Sequence, residues 1–491
     1  MGIIAKQSIK NLSSSYLGFI IGGIYTAILV PKFFYSSLNE WGSAKLLLSY
    51  ALILVPWVQV SIPGIILKFF PNQSKKENSE LLSLIIFWLI ITVVLSSLIV
   101  IFFPSIFYNE NTDPLISQNI IYILPLLYGA VFFEILSALS KTSLKSVFPV
   151  FLKEIVLRFY FLIIIILYGF KIVGFDLFLF LFSVSYIIIL IPLLIITLIG
   201  FSIRIKLNLA NIFSTQNKPI YKYAFFLLLN SGAAVLLLNI DNVMINGYIG
   251  PADITIYTTW FFLASILLLP SRSISSIAYP VISTKLAQNE LPIIETIYKK
   301  TSITSFVFAL LLFILLLFNI DLIAKYFGEL FYKGRYVFLF IALGNLANTI
   351  SSVNGTIITL SKYYRFDFIF QSSMILTVII TNIIFIPIYG ILGAAIASSL
   401  SILLINIARL VFVYKKFKIH PFSLNSLKIL IIGILSVSII YFVDYNPSFF
   451  NNSIISALFS ISYIILIYKL KISEDYNSII DSIILKIKGL I

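Results

Sequence analysis

Apolar residues along this chain neither alternate nor keep to one helical stripe. They come in long runs of about 20, separated by short polar or basic connections. A run of that length spans ~30 Å of hydrocarbon at a helical rise of 1.5 Å per residue. The pattern predicts fourteen membrane helices, at 12–31, 44–67, 82–104, 118–140, 147–169, 175–200, 219–245, 254–277, 301–320, 336–360, 367–387, 390–413, 428–443 and 453–470. Alternation of the kind a membrane β-barrel needs is absent. The first eleven residues are too short and polar for a signal peptide, so the first run is expected to stay as a helix.

Composition narrows the class. Of 491 residues, 60% are hydrophobic and 11% charged, with a mean hydropathy of +1.07. A soluble domain carries roughly a quarter charged residues and still exposes more than half apolar surface, so no soluble fold could hide this much. The chain has no cysteine and one histidine, His420. Disulfides, thiol chemistry, Cys/His zinc sites and triads built on two histidines are excluded, and neither a metal nor a cofactor is expected. The longest connections, 201–218 and 278–300, are too short to fold into a catalytic domain, which needs at least ~40 residues.

The net charge of +15 is explained by topology. With an even number of spans both ends share a side. Placed in the cytoplasm, the segments on that side hold 24 Lys/Arg and eight Asp/Glu, and the outer segments six and eight. That is the positive-inside asymmetry of a multi-pass cytoplasmic membrane protein, and no nucleic acid is needed to account for the excess. One outer connection, 321–335, is a local exception with Lys325, Lys333 and Arg335.

The halves look related. A span interrupted by Pro56 and Pro63 is followed by a basic loop, and Pro270 and Pro280 repeat the pattern 214 residues later. Paired interruptions point to a transporter cavity between two repeats. The implied organisation is an all-α membrane protein with an N-lobe at 1–200, a linker at 201–218 and a C-lobe at 219–418. Two more helices follow within 419–470, and an interfacial amphipathic helix at 471–491.

One segment resembles a known family. Pro387-Ile-Tyr-Gly-Ile-Leu-Gly-Ala-Ala-Ile-Ala-Ser-Ser-Leu-Ser401 is similar to a motif of polysaccharide exporters in the multidrug/oligosaccharidyl-lipid/polysaccharide exporter superfamily. The opening Met1-Gly-Ile-Ile-Ala-Lys-Gln-Ser-Ile-Lys-Asn11 resembles the start of O-antigen flippases of the Wzx type, and a 6+6+2 arrangement fits them. Independently of family, Tyr389-Gly390 reads as a tight turn, while Gly393, Ala394, Ala395 and Ala397 allow close helix packing. Gly18 and Gly22 form a small-xxx-small pair. The resemblance implies alternating-access flipping of a polyprenyl-diphosphate-linked oligosaccharide, such as an O-antigen or lipopolysaccharide unit. Ion or potential coupling through H+ or Na+ is implied with it, as are membrane lipids and other glycan-assembly membrane proteins as partners. Within the same fold the alternative is a multidrug/cation antiporter. From another class, a polysaccharide polymerase or lipid-linked glycosyltransferase would want a large outer loop that is not visible.

Seven charges fall inside spans, where each costs ~2.5–3.5 kcal/mol at the centre unless paired or wetted. Glu134, Lys153, Glu154 and Arg158 come at similar depth on two helices joined by a short turn. Either Arg158 grips a diphosphate with Lys153 nearby, or the four neutralise one another. Asp241 is a candidate for ion coupling, or else sits at an interfacial helix end. Arg272 is expected to line the cytoplasmic mouth or to snorkel, and Arg409 to snorkel. Lys45 could meet the substrate phosphate from outside. A polar stripe of Asn345, Asn348, Thr349, Ser352 and Thr356 on one helical face suggests a wetted wall for sugars, or interhelical glue. Asn230, Ser231, Gln59 and Ser61 add polarity on two other spans. His420 reads as a solvated loop side chain.

Overall fold

In the computed structural model of the protein, residues 3–72, 75–108, 114–142, 146–200, 218–442 and 448–488 are described. Among them every regular element is helical. Each of the fourteen apolar runs coincides with a helix or a close succession of helices. Eleven helices are long and apolar enough to cross a membrane, and twelve if one bent pair counts as a single span. The other two runs fall short for visible reasons. The helix through 147–169 carries Lys153, Glu154 and Arg158, and the apolar part of the one starting at Leu424 is short, Leu424–Ser438.

The chain divides into two compact units, Met1–Thr259 and Trp260–Ile491. In the first, helix Ile123–Thr142 packs on Leu38–Gln59 and on Ser185–Gly200, while Lys218–Tyr248 packs on Leu38–Gln59. Small residues set these distances. A Cβ on Gly18 would collide with the Glu154 carbonyl, and one on Gly42 with the Pro251 carbonyl. The first helix is thus pressed directly onto the charged segment of the fifth span, which is how a GxxxG-like pair works in lipid. The Leu38–Gln59 helix contains Pro56 and stops at Val60 and Ser61, both at positive φ (45° and 59°), before resuming at Ile62 with Pro63. The prolines leave carbonyls unbonded, and the two left-handed residues turn the chain at that point. The matching element of the second half differs. There a short 3-10 turn, Ile266–Leu268, precedes Pro270, and Pro280 is carried inside the continuous helix Leu269–Ala287.

In the second unit, Ile391–Phe417 packs on Tyr364–Tyr389 and Arg335–Ser351. The expected turn is present: Gly390 sits at φ 62°, ψ −138°, open to glycine alone without strain, and a Cβ on Gly393 would strike the Phe385 carbonyl. Gly393, Ala394, Ala395 and Ala397 are all buried.

The tenth span is not one helix. Arg335–Ser351 ends at Ser352 (φ 44°, ψ −112°), and the chain resumes as Asn354–Leu360 at an angle of 52°. The Ser302 hydroxyl donates to the Ile350 carbonyl at 2.6 Å, satisfying one of the groups the break exposes. The positive loop 321–335 is partly neutralised on its own, with Arg335 bonded to Asp321 at 2.9 Å and resting on Tyr336.

Residues after 470 begin by docking on protein. The Asn425 amide donates to the Ile472 carbonyl (2.9 Å), the Thr304 and Ser473 hydroxyls pair at 2.9 Å, and Lys300 meets Glu474 at 2.7 Å. Ile472 and Tyr476 are buried, so at least the first turn of Glu474–Lys488 lies on the bundle. The Lys300 ammonium holds the Glu474 carboxyl below the ordinary glutamate range. A depressed carboxylate contributes above its unfolded pKa and loses that contribution as pH falls through the lowered folded value. Amide protection at 472–478, measured relative to the intrinsic exchange rate at each pH, should therefore fall modestly as pH drops below about 4 and change little between pH 6 and 8. Lys300→Gln should remove the acid dependence.

Candidate functional site

Five helices of the first unit bring charge and phenol groups together. Lys153 Nζ and Glu134 Oε1 are 2.5 Å apart, and Arg158 meets Glu154 at 2.8 Å one helical turn away. Leu152–Val156 is a π-helical turn, which lies against the first helix. Such a turn widens the helix locally and re-aims its side chains. The buried phenols of Tyr25 and Tyr186 lie within electrostatic reach of Arg158 and Glu154, and Tyr186 also of Lys153 and Glu134. Lys45 rises from Leu38–Gln59 into the field of Arg158, with its ammonium 5.3 Å from the Trp41 ring centre. Among the described residues no carboxylate pairs with Lys45.

The four-residue cluster expected from sequence is thus present as two ion pairs. Two carboxylates answer three cations, and the surplus resides at Lys45 beside Arg158. Both pairs keep partial exposure, 45% and 30% for Lys153 and Glu134, and 28% and 25% for Arg158 and Glu154. Tyr25 and Tyr186 were not anticipated, because a tyrosine in an apolar run carries no signal of what it faces.

Asp241 is buried, 7% exposed, and accepts a hydrogen bond from the Tyr257 hydroxyl at 2.5 Å. Its neighbour Asn242 donates to the Ser49 hydroxyl (2.9 Å), which bonds the Lys45 carbonyl (3.0 Å). The residue after Asp241 is thereby tied to the Lys45 backbone through one turn of Leu38–Gln59.

In the second unit the polar residues part company. The Asn345 amide is buried and donates to the Ala264 carbonyl (2.9 Å), and the Thr349 hydroxyl folds back on Leu346 (2.7 Å). Asn348 is exposed, Ser352 occupies the break and Thr356 lies beyond it. The single continuous polar face is therefore corrected to two short segments, because the helix turns where the stripe would continue. Arg272 is exposed on Leu269–Ala287. Arg409 does not snorkel. It pairs with Asp367 at 2.7 Å, with side chains only 13% and 16% exposed, and Thr359 donates to the same carboxylate at 3.1 Å. His420 is half-buried between the rings of Tyr414 and Phe422. No group of three or more metal-ligating side chains forms among the described residues.

No family model and no curated protein matches the chain. Solved structures do. The lipid II flippase MurJ, in an inward closed conformation, aligns over 95% of this chain and 100% of its own, at 18% identity and a TM-score of 0.74. An inward-facing multidrug resistance MATE family transporter of the MOP superfamily aligns over 84% of this chain and 98% of its own, at 14% identity and a TM-score of 0.60. A MOP superfamily transporter from Pyrococcus furiosus aligns over 85% and 95%, at 13% identity and a TM-score of 0.51. All three are transporters, and the fold of this chain is the one shared by MurJ and the MATE transporters.

Proposed function

We propose that this protein is a flippase that carries a polyprenyl-diphosphate-linked oligosaccharide, a building unit of a surface polysaccharide such as O-antigen, across the cytoplasmic membrane. The observation that carries the reading is a cation excess in the first unit of a transporter fold: Lys45, with no carboxylate partner among the described residues, lies within the electrostatic field of Arg158, which is itself paired with Glu154. Like charges within each other's field repel in a low-dielectric medium, and a diphosphate would relieve both. A cationic drug would worsen the repulsion. Glu134 and Glu154, the carboxylates that could attract such a drug, are already engaged by Lys153 and Arg158.

Deletion in the native host tests the reading. The expected result is lipid-linked glycan accumulating in the inner leaflet and loss of surface polysaccharide. Normal glycan with new sensitivity to cationic drugs would instead identify an antiporter.

Asp241 is assigned the coupling of transport to an H+ or Na+ gradient. Its burial, its bond to Tyr257 and its linkage through Asn242 and Ser49 to the Lys45 backbone support that role. Asp241→Asn should leave the protein folded and substrate bound while removing the gradient dependence of flipping in proteoliposomes. Unchanged gradient dependence in that variant would end the assignment. For Arg272, Asn348 and Ser352 the corresponding role is contact with the sugar or phosphate during transport, while the buried Asn345, bonded to the Ala264 carbonyl, serves as interhelical glue.

A further inference from the structure

Four carboxylates near one end of the second unit are each held by a cation. Glu290 is held by Lys285 at 2.8 Å, Glu295 by Lys299 at 2.6 Å, Asp367 by Arg409 at 2.7 Å and Glu474 by Lys300 at 2.7 Å. Lys362, Arg365, Lys415, Lys416 and Lys418 remain, and among the described residues none has an acidic partner. All five are exposed, and from residue 336 to 443 the sequence offers no acid other than Asp367.

Four of these cations lie over aromatic rings. The ammonium groups of Lys362 and Lys416 flank one ring, Tyr363, at 5.4 and 5.5 Å from its centre. Tyr363 is itself wedged against Phe412 and Phe417, each 5.7 Å away, so the platform is fixed by packing. Arg365 lies over Tyr364 at 5.9 Å and Lys418 over Tyr414 at 5.8 Å. Helix stability accounts for Lys415 and Lys416, in the last turn of Ile391–Phe417, but not for the other side of the collar. Lys362 and Arg365 stand at the start of Tyr364–Tyr389, where the helix dipole disfavours positive charge. The positive-inside rule requires a number of cations on one side and does not require them to converge on shared rings.

Tyr364, Phe366 and Tyr414 are exposed at the same level, and the flanks leading away are apolar and open, with Ile369, Ile407 and Val411 outward. Aromatic rings beside cations, above an apolar helix flank, make the profile of the headgroup layer of a bilayer.

We propose that this collar binds an anionic phospholipid. Its phosphodiester headgroup lies among Lys362, Arg365 and Lys416, and its acyl chains run along the open flanks of Tyr364–Tyr389 and Ile391–Phe417. Each cation near a charged headgroup contributes about a fivefold gain in binding, so the contribution of three is large against the background of any other lipid contact.

The test uses the full-length protein in nanodiscs and in detergent, with cardiolipin, phosphatidylglycerol and phosphatidylcholine as probes and binding read by native mass spectrometry. The wild type should retain cardiolipin and phosphatidylglycerol in preference to phosphatidylcholine. The triple variant Lys362→Gln/Arg365→Gln/Lys416→Gln should lose that preference by about tenfold or more. Lys362→Arg/Lys416→Arg should keep it, which separates loss of charge from loss of fold. A control triple at exposed cations elsewhere, Lys32→Gln/Lys171→Gln/Lys325→Gln, should behave as wild type. Soluble glycerol phosphate at millimolar concentration should not displace the lipid. Equal retention of all three lipids by the wild type, unchanged preference in the glutamine triple, or displacement by glycerol phosphate would each overturn the proposal.

Discussion

Lys45→Ala should slow flipping of lipid-linked oligosaccharide by about ten- to a hundredfold, the loss expected from deleting one charge-assisted hydrogen bond worth about 1.5–3 kcal/mol. Lys45 makes no ion pair, so alanine there strands no carboxylate and removes only what the lysine offers a ligand. Arg158→Ala should be at least as damaging, but it also leaves Glu154 without its 2.8 Å partner. The double variant Arg158→Ala/Glu154→Gln removes that complication and should remain defective if Arg158 grips the substrate. Lys153→Gln/Glu134→Gln, which dissolves the 2.5 Å pair as a unit, should cost no more than about threefold. Flipping of a fluorescent lipid-linked glycan in proteoliposomes and restoration of surface polysaccharide in a deletion host measure both. Wild-type rates in a folded Lys45→Ala protein would refute the assignment of the surplus cation to the diphosphate.

What could be read in advance follows from which interactions are local. Membrane helices are legible because each run of apolar residues satisfies its own backbone, whatever it packs against. The Tyr389-Gly390 turn and the close packing at Gly393 were legible for a similar reason, since glycine has few other uses there. The break at Ser352 was not. No proline marks it, and the surrounding Asn348, Thr349 and Thr356 keep helical spacing straight across it. The same spacing that suggested one wetted face was evidence about a helix that does not continue. At the candidate site, the pairing of Glu134, Lys153, Glu154 and Arg158 could be guessed because a short turn fixes their depth. The approach of Lys45 to Arg158 could not, because it depends on how separate helices pack. Arg409 was misread for the same reason: its partner Asp367 lies 42 positions earlier on the neighbouring helix, where sequence alone suggested only a span boundary.

That pair yields the largest stability effect expected. Asp367→Ala should lower thermal stability of the purified protein steeply, by about 3–5 kcal/mol, because it leaves the Arg409 guanidinium mostly buried and unpaired. The cost is aggravated locally. Arg409 Nε already lacks a hydrogen-bond partner among the described residues. Arg409→Met should cost less than Asp367→Ala, because a stranded carboxylate at the start of Tyr364–Tyr389 still has the helix dipole and the Thr359 hydroxyl to favour it. The double variant Asp367→Asn/Arg409→Met removes both charges and should recover most of the loss, within about 1–2 kcal/mol of wild type, because neutral groups of similar volume replace a pair whose desolvation was expensive. Melting in detergent, followed by intrinsic fluorescence, measures the cycle. If the two single variants and the double were all equally stable, the pair would be an exposed contact of no consequence. If the double were as unstable as Asp367→Ala, the site would depend on charge itself rather than on the avoidance of an unpaired one.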